Sequence, residues 1–312
     1  MRFTKVVVVG IDETKLEPAY WQRIESLADV LQRVDVVGEK LVVDADCLLV
    51  GFETVVDAVT IEKMPNLKYI GVLGTAYDRV DVAAAKDRGV IVTNLPGYST
   101  EAVAEWVFGV LLEHLRNLSR AKQEAAKGNY GPAGFSGSEI MGKVFGVVGL
   151  GRIGTRVVEI ALGFNADVRY WSRTRKNEME TRGVKYEELD ELVRQADFLS
   201  LHVTGTSDTE NLLNRERIMG MKTGAIIVNT VSMRTIDVDA LEERLKRGDV
   251  TLIRMHSRSL TGEQWKRLSR YQNMVVYPAF TNVTNEANQA REEMFVRNVE
   301  RFLAGKPENV IN

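Results

Sequence analysis

The sequence predicts an α/β protein built on two doubly wound parallel sheets, and two observations carry that expectation. Short apolar runs alternate with amphipathic stretches along nearly the whole chain, the pattern of strands joined by crossover helices. One such run, Val144-Phe145-Gly146-Val147-Val148, flows straight into Gly149-Leu150-Gly151-Arg152-Ile153-Gly154, so a strand feeds a turn with glycines at the GxGxxG spacing. A length of 312 residues allows two domains, each with its own core.

In the N-terminal third, strands are expected at 5–9, 47–50, 67–73 and 90–93, with helices at 18–31 and 81–87. Asn94-Leu95-Pro96-Gly97-Tyr98-Ser99-Thr100 punctuates this part and places a hinge, with Ser99 or Thr100 as N-cap of a long helix over 101–117. The stretch 122–142 is rich in Lys and Gly, weakly patterned, and reads as an arm or loop. A second set of six strands follows at 144–148, 168–171, 198–203, 225–229, 250–254 and 274–277, with a helix over 155–162 after the glycine turn. Beyond Pro278 one amphipathic helix over 286–303 is expected to return to the first domain. The expected division is therefore 1–97 with 285–312 for one domain and 98–284 for the other.

A formal net charge of −2 gives no bulk electrostatic reason to expect a nucleic-acid or membrane partner, and neither is expected. The single cysteine, Cys47, excludes an intramolecular disulfide and, within Cys47-Leu48-Leu49-Val50, reads as a buried core thiol. Met1-Arg2-Phe3-Thr4-Lys5-Val6 runs directly into a strand-like segment with neither an h-region nor a cleavage site, so a cytoplasmic protein is expected. No metal site is expected.

The glycine turn has a specific physical demand. Gly149 permits the tight turn, Gly151 lets the backbone approach a pyrophosphate, and Gly154 lets the helix pack on the strand; Leu150, Arg152 and Ile153 complete the loop. The anion then sits on the exposed N–H groups of that helix. An NAD-selective site places Asp or Glu at the end of the second strand, where it meets the adenine-ribose hydroxyls and repels a 2′-phosphate. Here that strand ends in Ser172-Arg173-Thr174-Arg175-Lys176, with Ser172 in the acidic residue's place and cationic donors on Arg173, Arg175 and Lys176. NADP(H) is expected as the preferred cofactor, with NAD(H) possible; a solvated basic turn is the alternative.

Longer matches follow: Gly74-Thr75-Ala76-Tyr77-Asp78-Arg79-Val80-Asp81, Val92 through Thr100 with Ala102-Val103-Ala104-Glu105, Ser200-Leu201-His202-Val203, and Val228-Asn229-Thr230 leading to Asp237. With these the chain resembles the D-isomer-specific 2-hydroxyacid dehydrogenase family, and its basic turn resembles that of the glyoxylate reductases within it. The resemblance implies two Rossmann-like domains with the active-site cleft between them, a homodimer, and hydride transfer between a nicotinamide and a 2-oxo or 2-hydroxy acid. It implies that His202, Val203, Thr230 and Val231 lie at the cofactor, and that the backbone of Thr75 and Ala76 receives the substrate carboxylate.

The family's chemistry also needs an arginine that polarises the ketone, a histidine that passes the proton, and a glutamate that fixes the histidine's charge. At the matching positions this chain has Ser232, Ala279 and Thr261. Losing a general acid costs ~10²–10⁴ in rate and losing an aimed electrostatic donor ~10²–10³. Two residues are candidate substitutes. His256, in place of the family's aspartate near the nicotinamide, is either a replacement acid or a hydrogen-bonding partner of the cofactor or a loop. Arg234, two residues past the missing arginine, either reaches the cleft or is solvated. His114, on the helix over 101–117, reads as a packing or interface residue. Two functions remain open: an NAD(P)-dependent oxidoreductase with an altered site and little ordinary 2-oxoacid reduction, or a cofactor-binding homologue without turnover that acts in regulation or interaction.

Overall fold

The computed structural model describes residues 2–35, 44–255 and 260–312. Two compact units divide the chain: residues 1–99 with 284–312, and 100–283. Each unit has its own parallel sheet, so residues 5–9 and 144–148 lie in different sheets.

The first unit holds β1 (Phe3–Val9), β2 (Ala28–Val34), β3 (Cys47–Gly51), β4 (Tyr69–Leu73) and β5 (Ile91–Thr93), in the spatial order β2-β1-β3-β4-β5. All four pairings are parallel. The central strands are apolar from end to end because helices cover both faces. Cys47, at the start of β3, is a fully buried free thiol.

The expected helix over 18–31 ends early. Pro18 opens a helix that runs only to Ser26, where the Leu27 N–H turns back to the Ile24 carbonyl, and residues 28–34 form β2 instead. β2 is an edge strand whose Asp29, Val30 and Arg33 stay exposed, so its mixed pattern imitates an amphipathic helix; pairing with β1, from Phe3↔Ala28 to Val9↔Val34, decides otherwise. The C-terminal helix Asn285–Leu303 packs Phe295, Val296 and Val299 into the same core as Phe3, Val6 and Tyr69. Each such side chain contributes ~1.5–3 kcal/mol, and Phe302 adds a stacked contact to Phe3 at 5.7 Å.

The second unit begins with the helix Thr100–Arg116, whose buried face includes Val103, Val107 and Leu111. Asn117 then adopts a left-handed conformation (φ 53°), and a second helix, Leu118–Ala126, follows. Part of the expected loop over 122–142 is therefore helical: Lys122-Gln123-Glu124-Ala125-Ala126 are good helix formers that bury nothing, so they leave no apolar period to read.

Its sheet consists of β6 (Val144–Val148), β7 (Asp167–Trp171), β8 (Lys185–Tyr186), β9 (Phe198–Leu201), β10 (Ala225–Asn229), β11 (Val250–Met255) and β12 (Met274–Tyr277), ordered β12-β11-β10-β9-β6-β7-β8. It has seven strands rather than the expected six, because β8 is a two-residue edge strand too short to leave a pattern. From β6 the chain builds outward through β7 and β8, then returns to β9 on the other side of β6. That reversal opens a crevice at the C-terminal ends of β6 and β9, where doubly wound sheets bind ligands.

Candidate functional site

The glycine turn closes on itself and opens outward. Gly149 has φ 96°, and a Cβ there would lie 2.9 Å from the His202 backbone. A Cβ on Gly154 would sit 2.0 Å from the Gly149 carbonyl oxygen, so turn and helix touch through backbone alone. A Cβ on Gly151 would meet nothing within 4 Å. The helix Arg152–Gly163 starts directly after Gly151, three residues earlier than expected, and has no side-chain cap. Its first-turn N–H groups thus stay available to an anion. A pyrophosphate fits this arrangement: open space in front of Gly151, donors beside it, and a backbone crossing behind it.

In front of the turn lies a cavity of about 510 Å³ lined by Gly149, Leu150 and Gly151, by Trp171 at the end of β7 and Ser172, Arg173, Thr174 and Lys176 beyond it, and by His202, Val203 and Thr204 beyond β9. Thr206, Asp208, Thr209 and Leu212 complete the wall. Arg152 lines a neighbouring pocket that shares Leu150, Gly151 and Lys176, while Ile153 packs on the core beneath.

The basic residues after β7 divide by position. Ser172 Oγ donates to the Thr174 carbonyl at 2.5 Å, which folds the turn. Arg175 binds Glu180 through Nε at 3.0 Å and Nη2 at 2.5 Å and lies 4.7 Å over the Tyr186 ring, and it does not line the cavity. Tyr170 Oη ties this corner together, accepting from the Lys176 N–H at 2.7 Å and donating to Glu180 at 2.9 Å. Among the described residues, Arg173 and Lys176 are the cationic side chains in the cavity wall.

His202 is held by hydroxyls on both ring nitrogens: Ser200 Oγ lies 2.7 Å from Nε2 and Thr230 Oγ1 3.3 Å from Nδ1. Thr230 Oγ1 also donates to the Leu201 carbonyl at 3.0 Å, and the Val231 N–H donates to Asn229 Oδ1 at 2.8 Å, so these two residues brace the floor without lining the cavity. Burial pushes the His202 imidazole down to about 3, leaving it neutral near pH 7. An unfolded histidine takes up its proton near pH 6.5, so the stability held by the neutral ring is present above that pH and is lost as pH falls below it. The expected loss between pH 7.5 and 5 is ~2 kcal/mol. Urea unfolding across that range should show this slope and should show most of it gone in His202→Gln. His114, a half-buried side chain whose pKa burial lowers, adds to the slope in the same direction, as do ion-paired carboxylates such as Glu242 and Glu159 near its acid end. An unchanged slope in the variant would refute this role.

The other expected residues lie elsewhere. Thr75 and Ala76 follow β4 in the first unit; Thr75 Oγ1 donates to the Leu95 carbonyl and its own carbonyl accepts from Asn94 Nδ2, both at 2.8 Å. Arg234 is exposed and paired with Glu210 at 3.4 Å. Ser232 caps the short turn Met233–Thr235, its Oγ accepting from the Arg234 N–H. Thr261 caps the helix Gly262–Leu268 in a reciprocal pair with Gln264. Ala279 is exposed just after β12. His256 lies outside the described residues.

Two features escaped the sequence reading. The cavity wall contributed by Thr204, Thr206, Asp208 and Thr209 was signalled only by hydroxyl residues following a strand next to the glycine turn. Arg254, on β11, is 1% exposed, donates Nε to the Met255 carbonyl at 2.8 Å, and has a guanidinium pushed down to about 10 by burial. Its signal was a lone charge inside Thr251-Leu252-Ile253-Arg254-Met255. Among the described residues no group of three or more His, Cys, Asp or Glu side chains could hold a metal, and no helix is long and apolar enough to cross a membrane.

Residues 108–256 match the family described as D-isomer specific 2-hydroxyacid dehydrogenase, NAD binding domain. A glyoxylate reductase of Thermococcus litoralis is 32% identical over 278 residues, covering 86% of this chain and 84% of that one. A D-3-phosphoglycerate dehydrogenase of Methanocaldococcus jannaschii is 36% identical over 272 residues, 86% of this chain and 52% of that one, so the present chain spans about half that relative's length. Among solved structures, an acyclic imino acid reductase in complex with NADPH and D-Arg superposes with a TM-score of 0.86 at 29% identity, covering 98% of this chain and 100% of that one.

Proposed function

From the premise that this chain belongs to the D-isomer specific 2-hydroxyacid dehydrogenase family and has its NAD-binding domain, we propose an oxidoreductase that prefers NADP(H), tolerates NAD(H), and reduces ordinary 2-oxoacids poorly. The observation that carries the cofactor reading is the cavity in which the open side of Gly151 meets Arg173 and Lys176. A bound nicotinamide would supply or accept the hydride. The first-turn N–H groups of the helix Arg152–Gly163 would hold the pyrophosphate, and Arg173 and Lys176 a 2′-phosphate. The small-molecule ligand carries a carboxylate, received by the backbone of Thr75 and Ala76. A cytoplasmic homodimer belongs to the same reading.

The altered site rests on what Ser232, Thr261 and Ala279 do. Two of them use their hydroxyl oxygens as caps and the third has no polar group; none carries the charge of an arginine or the near-neutral acidity of a histidine, which supports weak polarisation of a ketone and weak proton supply. This favours a second reading, a cofactor-binding protein without turnover. Arg234 and His256 are the catalytic candidates of the first reading, and the imino acid reductase relative supports a C=N substrate as an alternative to a ketone.

Purified protein with NADPH or NADH should be assayed against 2-oxoacids, aldehydes and imines by absorbance of the reduced cofactor. Glyoxylate, pyruvate and hydroxypyruvate should turn over far below the ~1–10³ s⁻¹ of ordinary enzymes; turnover in that range would refute the altered site. Reduction of any panel member selects the enzyme, and nucleotide binding without reduction selects the binding protein. NADH binding as tightly as NADPH would overturn the stated preference.

A further inference from the structure

Among the described residues the cavity wall contains one carboxylate, and it does not come from the end of β7 where a dinucleotide site ordinarily keeps it. Asp208 belongs to the short turn Ser207–Thr209 after β9. That turn is built to hold its shape: Thr206 and Thr209 cap each other, and Thr209 Oγ1 donates to the Thr204 carbonyl at 2.7 Å. Thr209 is buried, whereas Asp208 is free to move its side chain, which is 75% exposed. It pairs with Arg173, 4.0 Å away and 76% exposed, a loose pair that either residue can leave. With Arg175 bound to Glu180, Arg173 and Asp208 stand as opposite charges on facing rims of one cavity.

We propose that Asp208 is a specificity-determining residue of this pocket, a carboxylate brought from the β9 loop that accepts from the adenine-ribose hydroxyls of a nicotinamide dinucleotide and opposes a 2′-phosphate. Arg173 attracts the phosphorylated cofactor and Asp208 the unphosphorylated one, so the pair sets how far NADP(H) is preferred. The inference rests on the cofactor reading above and adds to it the group that limits the preference. The turn's own hydroxyl pairs keep the backbone in place, so removing the charge of Asp208 leaves the loop intact.

The test is titration of NADPH and NADH by intrinsic fluorescence, with Trp171 in the cavity wall as reporter, on the wild-type chain, Asp208→Asn, Arg173→Ala and Glu210→Gln. Asp208→Asn should tighten NADPH about three- to tenfold and weaken NADH by a similar factor, the size expected of one solvent-screened charge. Its melting temperature should not change. Arg173→Ala should weaken NADPH alone. Glu210→Gln, two residues along but outside the cavity, should leave both affinities unchanged. An NADPH/NADH ratio within twofold of wild type in Asp208→Asn, or an equal shift in Glu210→Gln, overturns the proposal while the cofactor reading stands. Failure of the wild-type chain to bind either nucleotide overturns the cofactor reading and this inference with it.

Discussion

Gly154→Ala should abolish nucleotide binding and lower stability, while Gly151→Ala should weaken binding alone. At Gly154 the added methyl would sit 2.0 Å from the Gly149 carbonyl oxygen, a backbone atom that cannot rotate away. Relief requires the helix Arg152–Gly163 to move off β6 and the Gly149 turn to open. Overpacking of this kind costs ~1–3 kcal/mol, and the displaced first-turn N–H groups no longer converge on one anion. At Gly151 the same methyl meets no protein atom and the backbone (φ −81°) accepts any residue, so stability should change by no more than ~0.5 kcal/mol. The methyl instead occupies the space in front of the turn, and affinity should fall at least ~10-fold. Thermal unfolding and nucleotide titration of both variants separate the two effects. Gly151→Ala binding normally would show that no pyrophosphate passes there.

Arg244→Met should cause the largest loss of stability from a single side chain away from the site. Arg244 lies in the helix Val238–Arg247, is 2% exposed, and closes the end of another helix, Arg215–Gly220. Its Nη1 donates to the Ile218 and Met219 carbonyls at 2.6 and 3.1 Å, Nη2 to those of Met221 and Lys222 at 3.1 and 3.3 Å, and Nε to Asp249 at 2.8 Å. These carbonyls lie at and just past a helix end, where intrahelical donors run out; those of Ile218 and Lys222 also accept from the Met221 and Ala225 N–H groups, and the planar guanidinium reaches all four at once. Methionine keeps much of the volume but removes the cationic partner of the half-buried Asp249 carboxylate and every bond the guanidinium makes to these carbonyls. The expected cost is ~3–5 kcal/mol, read as a drop in the urea midpoint at unchanged slope. Arg244→Lys should recover only part of it, because an ammonium cannot span the same acceptors. A loss under ~1 kcal/mol would mean that water replaces the fork.

The site was legible in the sequence where chemistry is local. The glycine spacing, the strand before it and the basic run after β7 each depend on neighbours within a few residues, and Cys47 could be placed in the core from its apolar flanks alone. What residues 172–176 do was not legible. Five residues in a row read alike as a cationic turn, yet Tyr170, Glu180 and Tyr186 turn Arg175 away from the cavity and leave Arg173 in its wall.

By itself, then, the sequence determined the alternation of strands and helices, the position of the phosphate-type turn and the absence of charge at positions 232 and 279, because each follows from residue type and short-range period. Tertiary structure alone decided that residues 28–34 pair with β1 as an edge strand, since that outcome depends on a partner some twenty-five residues away and not on local preference. It also decided that Asp208 faces Arg173. Those two residues lie on loops after β9 and β7, strands that flank β6 on opposite sides, and only the order of the folded sheet brings their charges to one cavity.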